Sequence, residues 1–541
     1  MNNKSMSQGR RILTAVGVAL LFGVSAPAYS AEETRSAETI LQETCGTCHS
    51  SGKLGRASAI TGADFSRMRG QRKTPEGWLM TIARMQVTHG VNITQDERRV
   101  LVKHLADSQG LAPSESESYR YALERRLNEV EEFRDSESEL AELGEMCARC
   151  HSGARFALQR RSQDEWEHTI HSHLGQWPSL EYQAFSRDRD WFEIALKDTV
   201  PELVERYGLE SKAWDEWQEN KPAADEFNGS WSFSGHYPGE GALHGVMTVN
   251  HQGDDNFAVE VRGKYVDGRD FSGKGSAILY NGHEWRANIN IDGTQMQQLF
   301  SVIDGKMQGR MFEKKFFERG LDFVGAHEST NTVLAVQPSY VKAGEKATLT
   351  IVGTGLNAVP NLGEGVKVEK VTQQSPFLYT VKVAVDKKAA TQRKVLGDGE
   401  HAALAVYQQL EKVTVTPDFA VARVGGDGGH VEKLQGRFDA LGWAKNGDEE
   451  VLLGVMPAMW EVSPFDEDAK ANNDVKYAGT LDASTGVFTP AVAGPNKERS
   501  MMSNNIGNLN ITATVKDGRK KVSGSGQLVV GVPVWTITPI P

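Results

Sequence analysis

Along the chain the hydrophobic positions change period once, near residue 225. Before it, apolar residues recur at helical spacing. The stretch from Glu115 to Glu145 reads as one or two charged amphipathic helices, with Tyr121, Leu123, Leu127, Val130 and Phe133 on the apolar side. Thr94 to Ala106 reads as another helix. Thr94 is its N-cap, and Glu97 stands three residues on, as a capping box requires. From Asn228 onward the period is two. Phe257, Val259 and Val261 alternate with Ala258, Glu260 and Arg262. Trp285, Ala287, Ile289 and Ile291 do the same, as do Ala347, Leu349 and Ile351, and Val381, Val383 and Val385. Hairpin dipeptides separate the runs: Asp267-Gly268, Asn281-Gly282, Asp292-Gly293, Asp304-Gly305, Asp398-Gly399 and Asp517-Gly518.

This pattern predicts a multidomain chain, α followed by all-β. A mainly helical domain over 31–225 precedes three antiparallel β-barrel or sandwich domains. Their expected spans are 226–330, 331–415 (Ig-like) and 416–541. Asn228-Gly229-Ser230-Trp231 resembles the G-x-W opening of a lipocalin-type barrel.

Composition narrows the function. The 541 residues include 54 glycines, which suits a turn-rich β protein. The formal charge is −11 and there is no basic patch, which argues against a nucleic-acid partner. One apolar run, Ile12 to Val24, follows Lys4, Arg10 and Arg11 and precedes small residues at Ala26, Ala28 and Ser30. That is the pattern of a cleaved export signal over 1–30, and the run is too short to span a bilayer of about 30 Å. The expected compartment is the periplasm.

The chain holds four cysteines, and all belong to two copies of one motif. Cys45-Gly46-Thr47-Cys48-His49 and Cys147-Ala148-Arg149-Cys150-His151 are both C-x-x-C-H. This is the attachment signature of c-type haem. Two thiols three residues apart reach the two vinyl groups of one porphyrin, and the adjacent histidine falls under the iron. A C-x-x-C redox pair would want a βαβ context, which is missing. A zinc site built from both pairs leaves the following histidines unexplained. Two covalent haems are therefore expected, on Cys45/Cys48 and Cys147/Cys150, with His49 and His151 as proximal ligands.

The motifs sit in a faint internal repeat. Trp78, Thr81 and Ile82 match Trp166, Thr169 and Ile170. Seven residues past each tryptophan, two helical turns along one face, stand Met85 and His173. Both residue types ligate haem iron. Met85 is assigned to the first iron and His173 to the second. Met68, Met80 and His89 compete for the first, and His168 and His171 for the second. Thioether sulfur raises a haem potential relative to imidazole, so electrons would run from the second haem to the first. With both irons six-coordinate, no catalytic residue is expected on this chain. The glycine-rich 425–429 reads as a hairpin loop rather than a phosphate cradle. His236, His244 and His251 read as scattered, and no hydrolytic triad is evident.

The order of these features, export signal, Cys45-to-His49 with Trp78 and Met85, Cys147-to-His151 with Trp166 and His173, then a long β tail, resembles the α subunit of quinohaemoprotein amine dehydrogenase. The resemblance spans essentially the whole chain. It implies a dihaem cytochrome c domain and three β-barrel domains. It also implies a periplasmic heterotrimer with a β-propeller subunit and a small subunit that carries cysteine tryptophylquinone. Primary amines would be oxidised to aldehyde and ammonia on the small subunit. The present chain would pass the electrons through its haems to a soluble acceptor, a blue-copper protein or a small cytochrome c. The two other readings are a stand-alone dihaem carrier and a dihaem peroxidase. The β tail argues against the first, and a ligand for each iron argues against the second.

Overall fold

In the computed structural model the described residues are 34–49, 66–120, 133, 137–149, 151–178, 180, 189–397, 401–426 and 431–532. The export signal expected over 1–30, Cys150, Tyr121, Leu123, Leu127, Val130, Asp398-Gly399 and residues 427–429 lie outside them.

The N-terminal part is helical. Helix α1 (Ala37–Ile40) runs through a wider-wound stretch, Leu41–Cys45, into α2 (Gly46–His49). Then come α3 (Ser66–Arg69), strand β1 (Gln71–Lys73), α4 (Pro75–His89), α5 (Gln95–Ser108) and α6 (Pro113–Ser116). The second half carries α7 (Ala141–Cys147), α8 (Ala154–Ala157), strand β2 (Gln159–Arg161), α9 (Gln163–Gln176), α10 (Val200–Tyr207) and α11 (Lys212–Glu219). The capping box at α5 is present: Thr94 Oγ1 accepts from the Glu97 amide, and Glu97 accepts from the Thr94 amide at 2.8 Å. One or two amphipathic helices are expected over Glu115 to Glu145, and residues 121–132 and 134–136 of that stretch lie outside the described ones. That stretch holds a 3-10 turn at Glu117–Tyr119 and non-helical residues at 137–140 before α7 begins. Pro113 suits only the first turn of a helix, so α6 starts there and cannot extend α5.

Each half packs its own core. Ile40, Trp78, Ile82, Leu101 and Leu105 form one cluster, and Leu143, Met146, Trp166, Ile170 and Leu203 are among the members of the other. Trp78 and Trp166 are almost fully buried, and each indole N–H donates to a carbonyl, of Gln109 and Tyr207 respectively.

Beyond residue 228 the sheets are mostly antiparallel. Strands β3 (Gly229–Tyr237) to β10 (Phe316–His327) close into an eight-stranded barrel in sequence order, with β10 paired back onto β3. Its interior is filled by Trp231, Phe233, Phe257, Trp285, Phe300 and Phe323, which follows from the alternation along each strand. Trp231 stands on the first strand, and its indole N–H donates to Phe227 O. Strands over 332–407 form two sheets that share one apolar cluster. The remaining strands form three more sheets around another cluster. Two strand pairs in this tail are parallel, joining Tyr340 to Ala405 and Phe419 to Gln527. A wholly antiparallel tail was the expectation; parallel pairing of strands distant in sequence leaves no local trace.

The barrel grips the helical part at the Asn281-Gly282 hairpin tip, and Asp255 of an earlier hairpin turn pairs with Lys103 on α5. Asn281 and Gly282 both take positive φ, and Asn281 is buried. Asn281 donates to Leu111 O, its amide donates to Asp107, and its carbonyl accepts from Trp217 Nε1. Arg286 donates to both carboxylate oxygens of Glu76 from the next strand.

Candidate haem site

The chemistry-bearing residues stand at helix ends. Cys45 closes the wide-wound stretch after α1, and Cys48 and His49 lie on α2. Cys147 ends α7, and His151 lies between α7 and α8. No disulfide involves Cys45, Cys48 or Cys147. Burial raises the Cys45 thiol, and burial with Glu202 and Glu142 nearby pushes Cys147 up to about 12. Both histidines are shifted towards the neutral form. Burial lowers His49 first, then the charges of Arg67 and His89; burial lowers His151, and Arg155 and His173 add to it. Neutral imidazole is the form that binds metal.

In the second half the proximal and distal candidates meet. The rings of His151 and His173 lie 6.4 Å apart between centroids. His173 sits on α9, and its Nδ1 bonds the Thr169 carbonyl at 2.8 Å; His151 Nδ1 bonds Ser152 O at 3.0 Å. An imidazole held through Nδ1–H presents Nε2 as its lone-pair nitrogen. The competing histidines of α9 have other partners. His168 lies against Glu165 at 3.3 Å, and His171 packs on the Phe192 ring.

The first half is looser. Met85 is half-buried on α4, two turns past Trp78, but no hydrogen bond or ring contact joins it to His49 among the described residues. His49 Nδ1 is buried and has no hydrogen-bond partner among the described residues. Of the competitors, Met80 is partly exposed, His89 is exposed, and Met68 lines a cavity of about 430 Å³ with Leu41, Arg69 and His104.

Four family models match the chain in order. The first, "Quinohemoprotein amine dehydrogenase A, alpha subunit, haem binding", covers residues 35–214, which include both motifs, Met85 and His173. Domains II, III and IV of the same alpha subunit match 224–328, 330–408 and 413–540. The chain belongs to the quinohaemoprotein amine dehydrogenase alpha-subunit family. It is therefore a subunit of an amine-oxidising oxidoreductase and carries a haem-binding domain.

No curated protein matches it. Similar solved structures include a redesigned β-barrel, 18% identical over 19% of this chain and 90% of that one, TM-score 0.17. Another is a de novo fluorescence-activating β-barrel, 20% identical over 19% and 95%, TM-score 0.17. A third is a Bacteroides ovatus glucan-locus protein, SGBP-B, 9% identical over 56% and 60%, TM-score 0.15. Scores this low carry no argument. No helix among the described residues is long and apolar enough to cross a membrane.

The side chains of this alpha subunit fit a haem. His151 and His173, neighbouring rings each held through Nδ1, could offer their Nε2 atoms to one haem iron. Cys147 lies four residues before His151, as thioether attachment needs, and the buried His49 Nδ1 has no hydrogen-bond partner among the described residues. The histidines read as scattered bond separate partners: His236 with Asp439, His244 with Gln337, and His251 with the Asp254 carbonyl.

The structure shows that the internal repeat is longer than the matched Trp, Thr and Ile positions. Arg67, Gln71, Arg72 and Lys73 before Trp78 correspond to Arg155, Gln159, Arg160 and Arg161 before Trp166, at a constant offset of 88. The two copies pair through β1 and β2, Gln71 opposite Arg161 and Lys73 opposite Gln159. Caps match too: Thr74 and Ser162 each accept from an amide three residues on. On one face of the pair, Arg72 and Arg160 close on a single buried carboxylate, Glu115. The recurring Gln-Arg-basic-hydroxyl run is the signal that reveals these residues.

Proposed function

We propose that this chain is the electron-carrying subunit of the amine dehydrogenase complex. Two c-type haems would be held by Cys45, Cys48 and His49, and by Cys147, Cys150 and His151. Met85 and His173 would be the sixth ligands. Bound there, the haems supply one-electron redox chemistry. The protein's own part is to fix the ligands and exclude water. Ser152 O and Thr169 O hold the two imidazole rings of the second site in one tautomer. Trp78 and Trp166 anchor the helices that carry Met85 and His173.

The spacing of His151 and His173 supports this reading most strongly. Amine oxidation would occur on cysteine tryptophylquinone in a small partner subunit, since every cysteine here lies in a haem motif. A β-propeller subunit would complete a periplasmic heterotrimer, and a blue-copper protein or small cytochrome c would accept the electrons. The β tail would serve as scaffold for those partners.

The division of labour is testable. Expressed alone with haem-maturation machinery, the chain should be redox-active, give no quinone stain and oxidise no primary amine. Amine oxidation by the isolated chain would overturn it.

A further inference from the structure

This inference rests on the haem reading. One face of the β1–β2 pair carries more positive charge than its neighbours balance. Side chains alternate along a strand, so Gln71, Lys73, Gln159 and Arg161 share that face. Lys73 is 4% exposed, and its Nζ donates to Thr81 Oγ1 at 2.8 Å. Among the described residues it has no carboxylate partner. Thr81 and Arg84 stand three apart on α4, on one side of the helix. Arg84 and Arg155 make no salt bridge either, among the described residues. Arg84 lies within electrostatic reach of Lys73, Arg155 and Arg161. Arg155 in turn acts on His151, and Arg67 on His49.

The acid on this face is Glu165. Arg67 pairs with it, Gln71 donates to it at 2.9 Å, and Arg161 lies 3.7 Å away. Arg67 and Arg161 pair with Glu165, while Lys73, Arg84 and Arg155 pair with no carboxylate among the described residues, in a chain of net charge −11. A buried ammonium without an anion is costly, and burial lowers the Lys73 pKa well below its usual range. The arrangement calls for further carboxylates. Each haem carries two, on its propionate arms.

We propose that Lys73, Arg84, Arg155 and Arg161 form a shared cationic seat for the propionate carboxylates of the two haems. The seat does more than bind. Positive charge beside the iron favours the reduced form, so these residues hold the potentials up.

The test uses the full chain with both haems attached. Midpoint potentials are read by spectroelectrochemistry for the unaltered protein, Lys73→Met, Arg155→Gln and Arg155→Lys. Lys73→Met and Arg155→Gln should each lower at least one potential, by up to a tenfold change in the reduction equilibrium, about 59 mV for one electron. Arg155→Lys should restore most of the shift. Arg155 is exposed, so its variants decide the matter even where Lys73→Met does not fold. Two attached haems with potentials unmoved in Arg155→Gln overturn the seat. So does a variant whose potentials stay put while its reduction of an acidic acceptor slows, which would make the cluster a docking face. Absence of haem from the unaltered chain would instead sink the underlying reading.

Discussion

Glu115→Gln removes one charge and little volume from the junction of the two helical halves. Glu115 accepts from Arg72 at 2.7 and 2.8 Å, from Ser211 Oγ at 2.7 Å and from the Ala112 amide at 2.8 Å; Arg160 Nε lies 3.4 Å away. The side chains of Arg72 and Arg160 are 4% and 8% exposed, so the variant leaves two buried guanidiniums without an anion. Breaking a buried pair from one side costs about 3–5 kcal/mol. Carbonyls still hold both arginines, at Leu209, Gly110 and Ala157, which favours the lower end. For a region of this size each kcal/mol moves Tm by about 2–4 °C, so roughly 6–12 °C is expected. Calorimetry of the haem-loaded protein at pH 7 measures it. The gap also has a pH signature. Burial pushes the Glu115 carboxyl up, but the hydrogen bonds and charge of Arg72, with Arg160 and Ser211, hold it below its usual range. Its contribution is then complete above the unfolded pKa of 4.5 and is lost as pH falls through the lower folded value. A Tm change under 2 °C at pH 7, or a gap that widens in acid, would refute the reasoning.

Met85→His should lower the potential of the first haem and abolish its sulfur-to-iron absorption band; unchanged spectra would send the search to Met68, Met80 or His89. His173→Met should raise the second potential, which the same titration reads. His283, buried between barrel and helices and bonded to Leu111 O, is pushed down to about 3 by burial. The unfolded chain therefore takes up a proton below pH 6.5 that the folded one refuses, and stability should fall between pH 6.5 and 4.5 by about 2–3 kcal/mol. In His283→Gln that part of the slope of Tm against pH should disappear.

Local periodicity made some of this molecule legible and hid the rest. Phe257, Val259 and Val261 announce a strand because their burial alternates with the pleat, and Thr94 with Glu97 announces a helix start because the cap is made within three residues. Closure of the barrel, which sets Asp322 against His236, is a pairing of distant segments with no local signature. Asn281-Gly282 is plainly a turn in sequence, yet its burial against Leu111 and Trp217 depends on a different part of the chain. The same holds at the site. His173 is marked by its spacing from Trp166, whereas β1 and β2, three residues each, are too short to show alternation. Their arginines and Lys73 look like solvated charge, and only the fold reveals that Arg72, Arg160 and Lys73 are buried.

Haem stoichiometry tests the central claim most directly. The full chain, matured in an export compartment, is denatured, reduced in pyridine and digested for mass spectrometry. Two c-type haems per chain are expected, one on the peptide holding Cys45 and Cys48 and one on the peptide holding Cys147 and Cys150. A single haem, unmodified thiols at either pair, or zinc in place of iron would contradict the account.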